Sequence, residues 1–239
     1  MSDIKEHVAA VEARISAACQ RANRPRDSVT LIAISKTKPP EAVAEAAAAG
    51  VLHFGENRVE EASVKIPLVA ALTQVPLTWH MVGHLQSRKA RDAGIFDCIH
   101  SVDSLKVARR LDEMCRQNGR RLSIFLEINI SGEESKQGFP AVGWHETAEV
   151  RQSLWQTCAA IAQFECLELK GLMTMAPFYP DPEQTRPVFR ALAALREALR
   201  SDLGLPLPHL SMGMTNDFEV AVEEGATHVR IGRAIFGER

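Results

Sequence analysis

Short apolar runs, bounded by Gly, Pro or polar turn residues, recur eight times: VTLIAIS (29–35), VLHFGE (51–56), LTWHMVG (77–83), FDCIHSV (96–102), LSIFLEINI (122–130), LELKGLMTM (167–175), PHLSMGM (208–214) and THVRIG (227–232). Several carry β-branched or aromatic residues, the pattern of parallel strands covered on both faces. Amphipathic stretches lie between them. PEAVAEAAAAG (40–50) predicts a helix ended by Gly50. VDSLKVARRLDEMCRQNG (102–119) predicts another, with Ser101 or Asp103 capping its start and Gly119 its end. EQTRPVFRALAALREALRSDLG (183–204) predicts a third, with Pro187 confined to its first turns. A further helix, residues 2–22, precedes the first strand, and MAPFYPDPEQ (175–184) reads as a loop after the sixth. Strands alternating with helices over this length predict a single (β/α)8 barrel with an extra N-terminal helix. An open doubly wound sheet is the alternative, because periodicity does not show closure. No Gly-, Ser- or Pro-rich linker divides the chain. Residues 1–239 are therefore expected to form one domain, with 1–28 as helix and lead-in and 29–239 as the barrel.

Composition narrows the function more than the fold. With Lys+Arg 28 against Asp+Glu 30, the net charge of −2 gives no basic excess for a nucleic-acid partner. No basic amphipathic stretch suits a membrane surface, and no apolar run approaches the roughly 20 residues that span a bilayer. The charged N-terminus lacks the apolar core of a signal peptide, so a cytoplasmic location is expected. Cys19, Cys98, Cys115, Cys158 and Cys166 show no C-x-x-C spacing, which predicts free core thiols and neither a zinc site nor disulfides. His80 and His84 have i, i+4 spacing but straddle a strand end, so a packed strand histidine is favoured over a metal ligand. Met173, Met175, Met212 and Met214 read as barrel-mouth packing.

Active sites of such barrels form at the C-terminal strand ends. Lys36 stands at the end of the first strand, where a surface lysine is the ordinary alternative. The loops after strands seven and eight, a common phosphate position in this fold, hold SMGMTND and RIGRAIFG. Ser211 and Thr215 offer hydroxyls, Gly213 and Gly232 allow close backbone approach, and the Arg233 amide opens a short helix. A lysine beside a phosphate cradle suggests a phosphorylated carbonyl ligand, since a neutral lysine amine forms imines with carbonyls. Lys38 would help depress the Lys36 pKa if it faced the same way.

LIAISKTKP, HFGENRVEE, WHMVGHLQ, LEINISGEESKQG, GLMTMAP, LSMGMTND and VRIGRAIFG together resemble the pyridoxal phosphate homeostasis protein family, in order over residues 29–239. The resemblance implies a barrel similar to the N-terminal domain of alanine racemase, with pyridoxal 5'-phosphate held as an imine on Lys36. It implies that Arg230 faces the pyridine nitrogen and that Gly232 and Arg233 meet the phosphate by their backbone. Ser211 and Thr215 would donate hydroxyls, with Gly213 between them, and Asn57 would lie near the ring substituents. Thr215 stands where the family often has serine, Arg88 where it often has asparagine, and Arg233 where threonine is common. The implied function is buffering of the cofactor, or its delivery to apoenzymes that need it, by a monomer with little or no turnover. Racemization would need a second acid/base opposite the lysine. In alanine racemase a tyrosine from a second domain and partner subunit serves, whereas this chain ends seven residues after Gly232 and has Tyr179 as its only tyrosine. A weak amino-acid racemase and a lysine-imine aldolase on sugar phosphates are the alternatives.

Overall fold

A computed structural model describes residues 4–133 and 136–238. The first positions of the expected N-terminal helix, Glu134 and Ser135 of the 131–138 loop, and Arg239 lie outside the described residues. All eight expected strands form: β1 (Thr30–Ile34), β2 (His53–Glu56), β3 (Thr78–Met81), β4 (Cys98–Val102), β5 (Leu122–Asn129), β6 (Leu167–Met173), β7 (His209–Met214) and β8 (His228–Ile231). Each pairs in parallel with the next, and β8 pairs with β1, so the sheet closes and the open-sheet alternative is removed. A two-residue strand, Phe139–Pro140, adds to the end of β5.

Among the described residues eight α-helices surround the barrel: α1 (Ile4–Arg21), α2 (Pro40–Ala48), α3 (Val59–Leu72), α4 (Leu105–Gln117), α5 (Ala148–Ala162), α6 (Arg186–Leu203), α7 (Phe218–Glu223) and α8 (Arg233–Phe236). The cap of α4 is Ser104, whose hydroxyl accepts from the Val107 amide, and not Ser101 or Asp103. Ser101 is still in the strand, where its buried hydroxyl donates to the Gly83 carbonyl. Between β3 and β4 the chain forms a 3-10 helix, Ser87–Ile95, instead of an α-helix. Only Ala90 and Ala93 of that segment are buried, too small an apolar face to anchor a longer helix. α8 has four residues and cannot cover the β8–β1 seam by itself. α1 supplies the cover, burying Val8, Val11, Ile15, Ala18 and Cys19, packing on α7 and α8, and tied by Arg14–Glu219 at 2.7 Å and Arg21–Glu223 at 2.6 Å.

Barrel interiors of this type are usually filled by branched aliphatic residues. Here rings of His53, His80, His100, His209 and His228 pack against each other and against Phe125, which stacks on His100 at 4.3 Å. Met173 and Met212 are buried as expected, but Met214 is 37% exposed at the barrel mouth.

Candidate functional site

The segment that carries Lys36 is held on both sides. Thr37 has φ of 64°, a left-handed conformation rare for a β-branched residue and costing about 1–3 kcal/mol. Its amide donates to Glu61 Oε1. On the other side, Ser35 Oγ donates to Glu56 Oε1 at 2.7 Å. Lys65 closes the set from α3, donating to the Ser35 carbonyl (2.7 Å), Glu56 Oε1 (2.8 Å) and Glu61 Oε1 (2.8 Å). Burial raises the Glu56 pKa, while hydrogen bonds from Lys65 and Ser35 oppose that rise. Lys36 thus projects from a short loop whose two neighbours are pinned by one buried ion-pair network.

A cavity of about 500 Å³ opens at the C-terminal strand ends. Lys36, Thr215, Arg230, Gly232 and Arg233 all line it, so the barrel brings these five expected site residues together. Arg230 is its buried floor, with Nη1 donating to Ser211 Oγ at 2.7 Å and Nη2 to the Thr174 carbonyl at 2.9 Å. Burial pulls its pKa down to about 10, so it stays charged at neutral pH; Asp217 and Glu127 work against the fall. Lys38 also lines the cavity, but its ammonium donates to the Phe236 and Glu238 carbonyls, both at 2.9 Å.

Three expected residues are not in the cavity wall. Ser211 is fully buried, its hydroxyl engaged by Arg230 and by His100 Nδ1 at 2.8 Å, which places it behind the guanidinium. Gly213 has φ of +93°, and a Cβ there would meet the Ala221 Cβ at 2.6 Å and the Phe218 Cα at 2.9 Å. The packing of α7 accounts for that glycine without any ligand. Asn57 does not line the cavity; its backbone packs against Gly83, where a Cβ would come within 2.4 Å of the Asn57 carbonyl oxygen. Gly232 does line the cavity, but a Cβ there would also lie 3.2 Å from the Ile34 carbonyl oxygen, so its smallness seats β8 against the end of β1.

The loop after β6 is a wall of the cavity, through Ala176, Pro177, Phe178, Tyr179 and Pro182. It is tied to α7 by Arg186, which donates to Glu183 and Glu223 and to Glu224 at 2.9 Å. The sequence leaves the place of Tyr179 open; in the structure it lines the same cavity as Lys36. Lys65 and the inward histidines other than His80, which was expected to pack within its strand, were not read from the sequence. A charged residue at a buried helix position and histidines at alternate strand positions were the available signals.

Glu127 was likewise missed. It is buried on β5, two residues after Phe125 and so on the same inward face. Burial, then the Asp103 charge, push its carboxyl up to about 7, with Arg230 pulling it down. The folded state therefore binds this proton more tightly than the unfolded chain. The stabilisation is present at acid pH, below the ordinary glutamate range, and is lost as pH rises through 7. Glu127→Gln is expected to match the parent near pH 4 and to exceed it at pH 8 by about 3 kcal/mol, read from urea unfolding at the two pH values. Equal differences at both pH values would show that Glu127 titrates normally.

His80, Cys98 and His100 bring potential metal-ligating atoms within 4.8 Å of one another. Each ring nitrogen of His80 and His100 already lies against another polar atom. Burial drives the Cys98 thiol pKa far up, which keeps it protonated. The cluster is a polar core, and His84 lies apart from it, against Asp103 at 3.0 Å.

A closed parallel barrel with a lysine at the end of β1 and an arginine and glycine-led turn at the end of β8 defines the class of the alanine racemase N-terminal domain. Residues 7–239 match that family, and alanine racemase of Clostridium difficile superposes with a TM-score of 0.71 at 14% identity, over 98% of this chain and 57% of that one, a likeness of fold. Within that class, the chain belongs to the pyridoxal phosphate homeostasis protein family. It is 44% identical to the Pseudomonas aeruginosa pyridoxal phosphate homeostasis protein, over 100% of this chain and 97% of that protein. The Aquifex aeolicus protein of the same name is 39% identical over 98% and 97%. PipY of Synechococcus elongatus PCC7942, solved with PLP bound, superposes with a TM-score of 0.80 at 38% identity, over 98% of this chain and all of that one. Among the described residues no helix is long and apolar enough to cross a membrane.

Proposed function

We propose that the protein binds pyridoxal 5'-phosphate in the barrel-mouth cavity and serves the homeostasis of that cofactor, with little or no turnover of its own. The observation that carries this reading is the convergence of Lys36, Thr215, Arg230, Gly232 and Arg233 on one cavity of about 500 Å³. The residues fit the group: its volume lies in the range of small-ligand sites, and its wall combines an amine, a buried guanidinium, a hydroxyl and the opening amides of α8, which have no intrahelical acceptor. When bound, the cofactor supplies an aldehyde for covalent attachment to an amine and a ring that withdraws electrons. Lys36 is that amine. Arg230 can only donate hydrogen bonds, so a ring nitrogen facing it accepts and stays unprotonated, which weakens the ring as an electron sink. Thr215, Gly232 and Arg233 receive the phosphate. Ser211 serves by holding Arg230, Gly213 by seating α7, and Asn57 lies beside the ring. Residues 1–239 act as one domain, in the cytoplasm, as a monomer that holds the cofactor or hands it to apoenzymes. The relatives' names support a homeostatic role and do not favour the aldolase.

A residual racemase is the second reading, supported by Tyr179 in the cavity wall. One experiment separates the two. The cofactor-loaded protein, freed of excess ligand by gel filtration, is incubated at high concentration with alanine or serine and examined by chiral chromatography. Retained cofactor with no racemization is the expected result. Turnover of roughly 1 s⁻¹ or more would replace the carrier by an enzyme.

A further inference from the structure

We propose that His53, His80 and His100 act with Ser211 as a hydrogen-bonded chain of one fixed direction that positions the Arg230 guanidinium at the cavity floor. The chain crosses the barrel interior. His53 Nδ1 lies 3.0 Å from His80 Nε2, His80 Nδ1 lies 2.9 Å from His100 Nε2, and His100 Nδ1 lies 2.8 Å from Ser211 Oγ. Arg230 Nη1 donates to the same oxygen at 2.7 Å. The participants come from β2, β3, β4, β7 and β8, so only the closed barrel makes the chain continuous.

Proton counting sets its direction. Burial disfavours the charged form of all three rings, with His80 pulled down to about 3, so each is a neutral imidazole with one donor and one acceptor nitrogen. Three such rings in line must all point the same way. Arg230 can only donate, so Ser211 Oγ accepts from it. Ser211 then has one proton to give, and His100 Nδ1 is the neighbour placed to take it. The opposite direction would have Ser211 accept from both sides and leave its buried hydroxyl proton without an acceptor, which native interiors avoid. His100 therefore donates from Nε2 to His80 Nδ1, and His80 from Nε2 to His53 Nδ1. All three rings carry the proton on Nε2, and the half-buried His53 turns its own Nε2 proton out of the chain. His228, which packs beside these rings, has its Nδ1 2.9 Å from Thr227 Oγ1.

A chain with no spare proton allows Ser211 one orientation, with its lone pair toward Arg230. With the Thr174 carbonyl on Nη2, the guanidinium is then held at two points and its remaining N–H groups are left for the cavity. The value of this to a bound cofactor rests on the reading that the ring nitrogen faces Arg230; the chain and its direction do not.

The test has two arms. In protein without added cofactor, nitrogen-15 spectra of the histidine rings at pH 7 should show His53, His80 and His100 unprotonated at Nδ1 and protonated at Nε2, and the Arg230 side-chain N–H signals should exchange slowly. His100→Leu cuts the chain, whereas His100→Gln retains an acceptor and a donor. Leucine should speed Arg230 exchange and glutamine should largely restore it; where leucine does not fold, His80→Leu cuts the chain one ring further from Arg230. A ring protonated on Nδ1, a charged ring, or Arg230 exchange unchanged by the cut would each overturn the proposal. In the second arm, with pyridoxal phosphate, the cut should weaken retention about tenfold and shift the visible absorption of the bound cofactor, with glutamine close to the parent. A parent that binds no cofactor would defeat the functional reading while the first arm still decides the chain. An unchanged affinity and spectrum in a folded, loaded cut variant would show that the chain does not serve the site.

Discussion

Lys36→Ala abolishes the borohydride-stable attachment of pyridoxal phosphate and leaves the barrel folded. The expected loss is complete, because imine formation needs an amine within reach of the ligand and the other lysines near the barrel mouth have been committed elsewhere. The Lys38 ammonium donates to two main-chain carbonyls at the end of the chain. Lys136 donates to the Met175 carbonyl at 2.9 Å and pairs with Glu133. Lys65 is surrounded by carboxylates beneath the loop. The fold survives because Lys36 is a half-buried loop residue outside the hydrophobic core. Mass spectrometry of the reduced, digested protein reads the result directly. An adduct retained in the variant, or mapped in the parent to Lys38 or Lys136, would remove Lys36 from its role.

Lys65→Met destabilises the protein by about 3–5 kcal/mol, the usual cost of removing one partner of a buried ion pair. Methionine fills nearly the same volume, so the loss is electrostatic and not a cavity. Glu56 is fully buried, and without Lys65 its charge keeps only the Ser35 hydroxyl. Glu56 accordingly takes up a proton more readily in the variant. The double variant Lys65→Met/Glu56→Gln recovers part of the loss by removing the stranded charge. The same change releases Ser35 and Glu61, and with Glu61 the left-handed Thr37. Cofactor affinity should therefore fall even where the variant is fully folded. Urea unfolding and equilibrium binding check the two effects separately. A loss under about 1 kcal/mol, the range of an exposed pair, would show that Lys65 is not a buried strut.

Much of this architecture was legible in the chain as written. Strand limits are short-range properties, set by where apolar runs meet Gly, Pro and charge, and all eight strands formed within a few residues of expectation. Helix ends followed from Gly50, Gly119 and Gly204, each with positive φ just past its helix. The α4 cap was misplaced by one to three positions because three capping-competent residues, Ser101, Asp103 and Ser104, stand close together. Only the register of the strand end decides which of them is free to turn. Lys36, Thr215, Gly232 and Arg233 were reachable because this fold places its site at strand ends, so sequence position translates into spatial position; Arg230 entered only through the family resemblance of VRIGRAIFG.

By itself the sequence determined an alternating β/α chain, its eight strands, and the loops in which reactive side chains stand. Closure determined the rest. Glu56 and Lys65 are near in sequence, but Lys65 becomes a strut for Lys36 only when α3 packs back over the end of β1. Ser211 reads as a phosphate donor along its own strand. It becomes the partner of Arg230 only when β8 pairs with β7, and of His100, 111 residues away, only when the barrel closes. Gly213 reads as a ligand-approach glycine until α7 is seen to press on it. The physical reason is the same in each case. Periodicity and turn chemistry are read within a few residues, whereas a buried polar atom must find its partner wherever the folded chain brings one.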